Sequence, residues 1–309
     1  MTQHVIIAGG GPAGLLTALG LAQAGTKVTV LEALDKLNDS PRALVYHHPV
    51  LPYLERLGLL DDCVNAGFTR QGFAWRIHSS EEMIYWSMDC LDDSTPHPYA
   101  LHLHQGLLSD IAAMHLERLP NAHIERSTRC VGCVEHAGGV TVEVDGPNGK
   151  GAIEGDYLVA ADGAASSIRK DILGLNFFGI TWPMRYIATN TRIDLSSLNF
   201  PDTTMQLDDK HGAVLCRIDD SQLWRVTFME DPDLPEEGIP ERIAAMFVNH
   251  LPDIPYELDD YAPYRMHQRV ADRMRVGRVL LVGDSAHVSK DKDLMRQEFQ
   301  FTEKMETKF

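Results

Sequence analysis

Val5-Ile6-Ile7-Ala8-Gly9-Gly10-Gly11-Pro12-Ala13-Gly14 is the stretch on which the reading of this chain turns. Its β-branched apolar run predicts a short buried strand, and the glycines behind it predict a tight turn. Apolar spacing from Leu15 to Ala24 predicts a helix that Gly25 ends. Val28-Thr29-Val30-Leu31 then predicts a second strand, finishing on the acidic Glu32. In such a strand–turn–helix–strand unit each glycine has its own task. Gly9 allows the tight turn, Gly11 lets backbone approach a pyrophosphate, and Gly14 lets helix and strand pack closely. The helix N-terminus offers N–H groups and positive dipole to phosphates. Glu32 is placed to bind a ribose hydroxyl pair. The pattern predicts a dinucleotide site and leaves open whether the ligand is FAD or NAD.

Two later segments repeat the step from apolar strand to acid. Asp156-Tyr157-Leu158-Val159-Ala160-Ala161 runs into Asp162-Gly163, with Arg169 shortly after. Val279-Leu280-Leu281-Val282 runs into Gly283-Asp284 within GRVLLVGDSAH, residues 277–287. Ligands of open α/β sheets sit at the carboxyl ends of the strands, so three strand ends are candidates to converge on one molecule.

With these segments in order, the sequence resembles the FAD-dependent aromatic hydroxylases, single-component flavoprotein monooxygenases with the p-hydroxybenzoate hydroxylase fold. The resemblance rests on GGGPAG at 9–14, Glu32, Ser40-Pro41-Arg42-Ala43, the segment from Asp162-Gly163 to Arg169, and Gly283-Asp284; it spans about residues 3–288. It implies an α/β fold, a Rossmann-type FAD-binding domain with an inserted, mostly antiparallel β-sheet substrate domain. It also implies FAD and NAD(P)H as cofactors, with no separate Rossmann domain for the nicotinamide. Gly9, Gly11, Gly14 and Glu32 would hold the ADP half of FAD, and Gly283 with Asp284 the ribityl side. Asp162, Gly163 and Arg169 would serve both FAD and the nicotinamide. Arg42 corresponds to an arginine beside the flavin, and Gln105 to a polar helix-start residue that contacts FAD. The implied chemistry is hydroxylation of a phenolic or other aromatic substrate with O2, through a flavin C4a-hydroperoxide.

The FAD-binding domain is expected over residues 1–70, 100–176 and 268–288, and the substrate domain over 71–99 and 177–267. Strand-like runs at Arg185–Thr191, Ala213–Ile218 and Leu223–Phe228, with helical spacing over 240–250, carry that second domain. A phenol becomes a better nucleophile on losing its proton, so a base tuned near neutral pH is needed. His47 is the candidate base, with the ordinary exposed or core histidine as its alternative. Arg217 and Arg225 are candidates to orient an acidic or phenolic substrate; arginines on an outer strand face would look the same.

No metal site is expected. Cys130-Val131-Gly132-Cys133 has no second pair for zinc, and His97, His102 and His104 read as solvated or capping residues at a helix start. The chain has 309 residues, 44% hydrophobic and 23% charged, the composition of an ordinary globular protein. Its net charge of -16 argues against nucleic acid or an anionic membrane as partner. No apolar run reaches the roughly 20 residues of a membrane-spanning helix. Five cysteines suggest reduced thiols and a cytoplasmic setting. The implied partners are a small aromatic substrate and O2, with a homodimer left open.

After Val288 the texture changes to a charged tail, and 289–309 is expected to be non-homologous to the family, as a retained intron or frameshift would produce. Two other readings stay open: a nucleotide-binding remnant without turnover, and a flavin oxidoreductase of the same fold that does not hydroxylate.

Overall fold

The computed structural model describes residues 3–36, 44–195, 198–208, 211–219, 221–251 and 254–289. Arg42 with its Ser-Pro-Arg-Ala segment, and the tail beyond 289, lie outside the described residues. The glycine-rich start forms a strand at His4–Ala8, a helix at Pro12–Gln23 and a strand at Lys27–Leu31. The helix begins before Leu15 because Pro12 fits a first helical turn, where its missing N–H has no partner to lose.

His4–Ala8 lies inside a six-stranded sheet of order Arg275–Val276, Val279–Leu281, Tyr157–Ala160, His4–Ala8, Lys27–Leu31, Ala122–Glu125. All of its neighbours pair in parallel except the hairpin Arg275–Val276 with Val279–Leu281. A parallel sheet is covered on both faces, which is why its strands read as continuous apolar runs. Val5 and Ile7 face a core built with the helices Pro12–Gln23 and Gln105–Glu117. Ile6 and Ala8 face the opposite core, closed by Cys130, Val140, Val142 and Val144 of a three-stranded antiparallel sheet at Arg129–His136, Gly139–Gly146 and Gly149–Gly155. The fold class is therefore the expected α/β one, with helices on one side of the parallel sheet and a β-layer on the other.

The chain doubles outward from His4–Ala8, first to Lys27–Leu31 on one side and later to Tyr157–Ala160 on the other. The crevice between these carboxyl ends is a topological switch point, where such sheets take ligands.

A second sheet of eight strands has the order His287–Ser289, Tyr256–Ala271, Phe177–Ile193, Leu223–Glu230, Ala213–Arg217, Thr203–Leu207, Gly72–Ile77, Met83–Ser87. It is antiparallel apart from Thr203–Leu207 against Gly72–Ile77, the pairing that joins its two stretches of sequence. Tyr256–Ala271 runs through the 267/268 boundary drawn from the sequence. Its alternation is masked by charge: half of it faces solvent, as does Pro263, which a strand tolerates where no neighbour needs its N–H. Trp182, Pro183 and Met184 interrupt the register of Phe177–Ile193 between Thr181 and Arg185. Proline has no ladder hydrogen to give there.

The helix Ile239–His250 packs Ile239, Ile243, Met246 and Phe247 on one face of this sheet, against Ile187, Leu215, Trp224, Val226 and Phe228. No helix among the described residues is long and apolar enough to cross a membrane.

Glu230 anchors this layer. Its carboxylate accepts from Arg185 Nε at 2.6 Å and Arg242 Nε at 2.6 Å, and the Arg185 and Glu230 side chains are 5% and 6% exposed. Burial pushes the Glu230 carboxyl up, but the bonds from Arg242 and Arg185 override it and hold the group below the usual carboxylate range. The pair therefore stabilises the fold above the ordinary carboxylate pKa, and that contribution is lost as pH falls through the lowered folded value. Glu230→Leu would leave the buried Arg185 cation with only the more distant Glu236, at 3.7 Å, and backbone carbonyls, and should cost about 3 kcal/mol in urea unfolding at pH 7. The deficit relative to the parent should shrink towards pH 3; a pH-independent difference would contradict it.

Candidate active site

Three strand ends meet in the crevice. Gly9 has φ 116°, and a Cβ there would collide with the Ala161 carbonyl of the neighbouring strand end. A Cβ on Gly14 would meet the Gly9 carbonyl and the Ala161 methyl. Helix, turn and two strands are thus packed backbone to backbone. Gly11, by contrast, faces open space with nothing within 4 Å of an added Cβ. Such a cradle suits a pyrophosphate lying against bare backbone at the helix N-terminus.

Glu32 follows Lys27–Leu31 and lines the crevice, but it also shapes it: its carboxylate accepts from Gly10 N at 2.7 Å and Leu34 N at 2.8 Å. A carboxylate has about four acceptor sites, so these bonds leave room for ribose hydroxyls. Asp162 accepts from Ser166 Oγ at 2.5 Å and Ile168 N at 3.2 Å, capping the turn after Tyr157–Ala160. Gly163, at φ 83°, carries the chain round that turn, and both residues line the crevice. Gly283, at φ 59°, sits against the Ala13 methyl, and Asp284 stands exposed at the crevice wall.

Arg169, expected at the cofactor, is not among the residues that line the crevice. It is 5% exposed and turned away from the crevice: its guanidinium donates to Ser285 O at 2.8 Å and Ala164 O at 2.7 Å, and lies 3.7 Å from the Phe177 ring centroid. A cation beside an aspartate reads as a phosphate ligand in sequence, but here its charge ties two crevice loops together. Ser285, which carried no signal of its own, completes the tie by donating to Ala160 O at 2.6 Å.

The crevice has a volume of about 540 Å³. Gln105 opens the helix Gln105–Glu117 at its edge, after a cap in which His104 accepts from Gly106 N at 3.2 Å. Arg129 is the one cation among the described residues lining it. Sequence reasoning missed it, because it opens an unremarkable strand of the covering sheet.

The remaining candidates lie on the large sheet. Cross-strand partners share a face, and the registers set Thr203 opposite Cys216, Cys216 opposite Arg225, and Arg225 opposite Asn190. This polar ladder crosses four strands on the face opposite the helix Ile239–His250. Arg225 donates from Nε and a terminal nitrogen to Asn190 Oδ1, at 3.2 and 3.0 Å. Burial lowers the pKa of Arg225 and pushes the nearby Tyr264 phenol up to about 12. Tyr264 stacks on Tyr186, with centroids 5.5 Å apart. Arg217 does not join the ladder. It sits opposite Trp224, with its guanidinium on Asp219 O at 2.8 Å and on Asp202 at 3.3 Å, a carboxylate shared with Arg70. His47 is exposed beside Phe73, whose ring stacks on Trp86 at 4.4 Å.

His97 and His102 are buried rather than solvated; His97 meets Glu55 at 3.1 Å. Among the described residues no group of histidine, cysteine and acidic side chains could hold a metal ion, and all five cysteines are free.

The chain matches the family described as FAD binding domain over residues 2–290. It is 58% identical over 290 residues to 6-hydroxy-3-succinoylpyridine 3-monooxygenase HspB of Pseudomonas putida (strain DSM 28022 / S16), covering 94% of this chain and 74% of that protein. It is 39% identical over 292 residues to para-nitrophenol 4-monooxygenase of Pseudomonas sp. (strain WBC-3), covering 92% and 72%. The crystal structure of p-nitrophenol 4-monooxygenase PnpA from Pseudomonas putida DLL-E4 superposes with a TM-score of 0.89 at 38% identity, covering 94% and 74%.

Gly11→Val should leave folding intact, because its side chain enters open space, yet weaken FAD binding at least about tenfold by blocking backbone approach. Gly14→Val should instead destabilise the chain before any ligand is added. Flavin fluorescence titration and thermal unfolding of the two variants distinguish these outcomes.

Proposed function

The chain belongs to the FAD-binding-domain family of aromatic monooxygenases, and from that premise we propose that it oxygenates a para-hydroxylated aromatic ring at the carbon bearing its para substituent. The observations that carry the reading are the glycine cradle of the crevice and, on the large sheet, the buried Arg225 in its polar ladder. The names of the two relatives support the position of attack. In one, oxygen goes to carbon 3 of a ring with the succinoyl group at 3 and hydroxyl at 6; in the other, to carbon 4 of a 4-nitrophenol. In both, the attacked carbon carries a substituent and lies para to a hydroxyl, where that oxygen donates electron density.

When bound, FAD reduced by NAD(P)H activates O2 for transfer to the ring. Gly9, Gly11 and Gly14 with the helix N-terminus cradle its pyrophosphate, Glu32 holds a ribose, Gln105 borders the bound nucleotide, and Asp162, Gly163, Gly283 and Asp284 border its flavin half. Arg169 keeps the last two loops together. Arg225 receives the electron-rich end of the substrate, a nitro, carboxylate or acyl oxygen, at a site where low dielectric strengthens the attraction. The aromatic pair Phe73 and Trp86 offers the ring a stacking wall. His47, at the rim beside them, accepts the hydroxyl proton, and the resulting oxyanion pushes density to the para carbon.

With FAD and NAD(P)H, the protein should convert 4-nitrophenol and release the nitro group as nitrite, seen in product analysis. A nitrocatechol that retains the substituent would sink the para assignment, and an absence of substrate-stimulated NAD(P)H oxidation would sink the monooxygenase reading. Arg225→Met should raise KM about tenfold or more. His47→Gln should lower kcat at neutral pH and recover at alkaline pH, where the phenol ionises unaided.

A further inference from the structure

Arg129 is exposed at the start of the strand Arg129–His136 and lines the crevice. Asp145 stands opposite it in register, yet among the described residues nothing pairs with its guanidinium. Leu34 lines the same crevice and is 47% exposed. An unpaired planar cation and an uncovered apolar side chain thus share one cavity.

Their place along the crevice follows from Glu32. Its carboxylate accepts from Gly10 N in the glycine turn, and its backbone oxygen accepts from Thr128 N at 2.8 Å. Leu34 O accepts from Ser127 N at 2.9 Å, so the segment leading into Arg129 runs beside the one leading out of Glu32. Glu32 therefore lies between the pyrophosphate cradle on one side and Leu34 with Arg129 on the other. In FAD the adenosine ribose joins the pyrophosphate through C5′ and the adenine through C1′. With Glu32 on that ribose, the base lies beyond it, at Leu34 and Arg129. Adenine is flat, with two π-faces that water solvates poorly. A guanidinium is planar and weakly hydrated, so it stacks on such a face, and an aliphatic side chain covers the other.

We propose that Arg129 and Leu34 form an adenine clamp: the guanidinium stacks on one face of the base and the Leu34 side chain covers the opposite face. The inference rests on the assignment of Glu32 to the ribose, and it adds what the far end of the crevice recognises. Lysine carries the same charge without the plane, so it does not replace Arg129 in this role. The clamp grips a part of the cofactor remote from the flavin ring, so its contribution goes into retaining FAD. FMN has no adenine and gains nothing from it.

The test measures dissociation constants of the flavin-free chain for FAD and for FMN by flavin fluorescence, with ADP as a competitor that carries adenine without flavin. Arg129→Ala and Arg129→Lys should each weaken FAD and ADP about tenfold, the worth of a stacked cation partly withdrawn from water, and leave FMN unchanged. Leu34→Ala should act in the same sense. Arg129 and Leu34 are exposed without ligand, so thermal unfolding of the ligand-free variants should match the parent. Parent affinity for FAD in Arg129→Ala would overturn the proposal. Parent affinity in Arg129→Lys alone would make charge sufficient and overturn the stacking contact. Equal losses for FAD and FMN would put Arg129 at the flavin end and overturn the clamp. A parent chain that binds FAD and FMN equally, with ADP failing to compete, would instead remove the ribose reading of Glu32 on which the clamp rests.

Discussion

The Gly9 turn lies against the Ala161 carbonyl, closer than any side chain would allow, and the rest of the molecule is arranged around that contact. Parallel pairing of Val5–Ala8 with Tyr157–Ala160 brings the two strand ends level, and Leu281 is level with Ala160 on the next strand. The acids and glycines that follow these strands then share one crevice. Ser285 and Arg169 lock the arrangement from behind, one on the Ala160 carbonyl and the other on the Ser285 and Ala164 carbonyls. A buried guanidinium is tolerated there because backbone oxygens and the Phe177 face replace its water.

The eight-stranded sheet follows a different rule. It buries apolar side chains under the helix Ile239–His250 and, on the other face, a row of polar groups that nothing in a simple core requires. Buried polar groups are costly unless satisfied. In this sheet Arg225 is satisfied by Asn190, and Thr203 meets His102.

The reach of sequence reasoning differed between the two layers for a physical reason. The glycine turn and the strand ends at Glu32, Asp162 and Gly283-Asp284 were legible in place because backbone conformation, a strand end and a helix start all lie within a few residues. Arg225 was legible only as an arginine on a strand. Thr203, Cys216 and Asn190 were not, since a ladder exists only once register is set, and register depends on pairings between distant segments. Arg217 and Arg225 look alike in sequence, yet the pleat sends them to opposite faces.

By itself the sequence determined the class of fold and the kind of ligand, because apolar period, glycine placement and terminal acids are constraints the chain carries residue by residue. Tertiary structure alone decided that Arg169 braces the crevice instead of lining it, that Arg129 enters it, and that His102 meets Thr203. Those outcomes depend on which surfaces are brought within hydrogen-bonding distance. Distance between remote residues is a property of the packed molecule, not of any stretch of it.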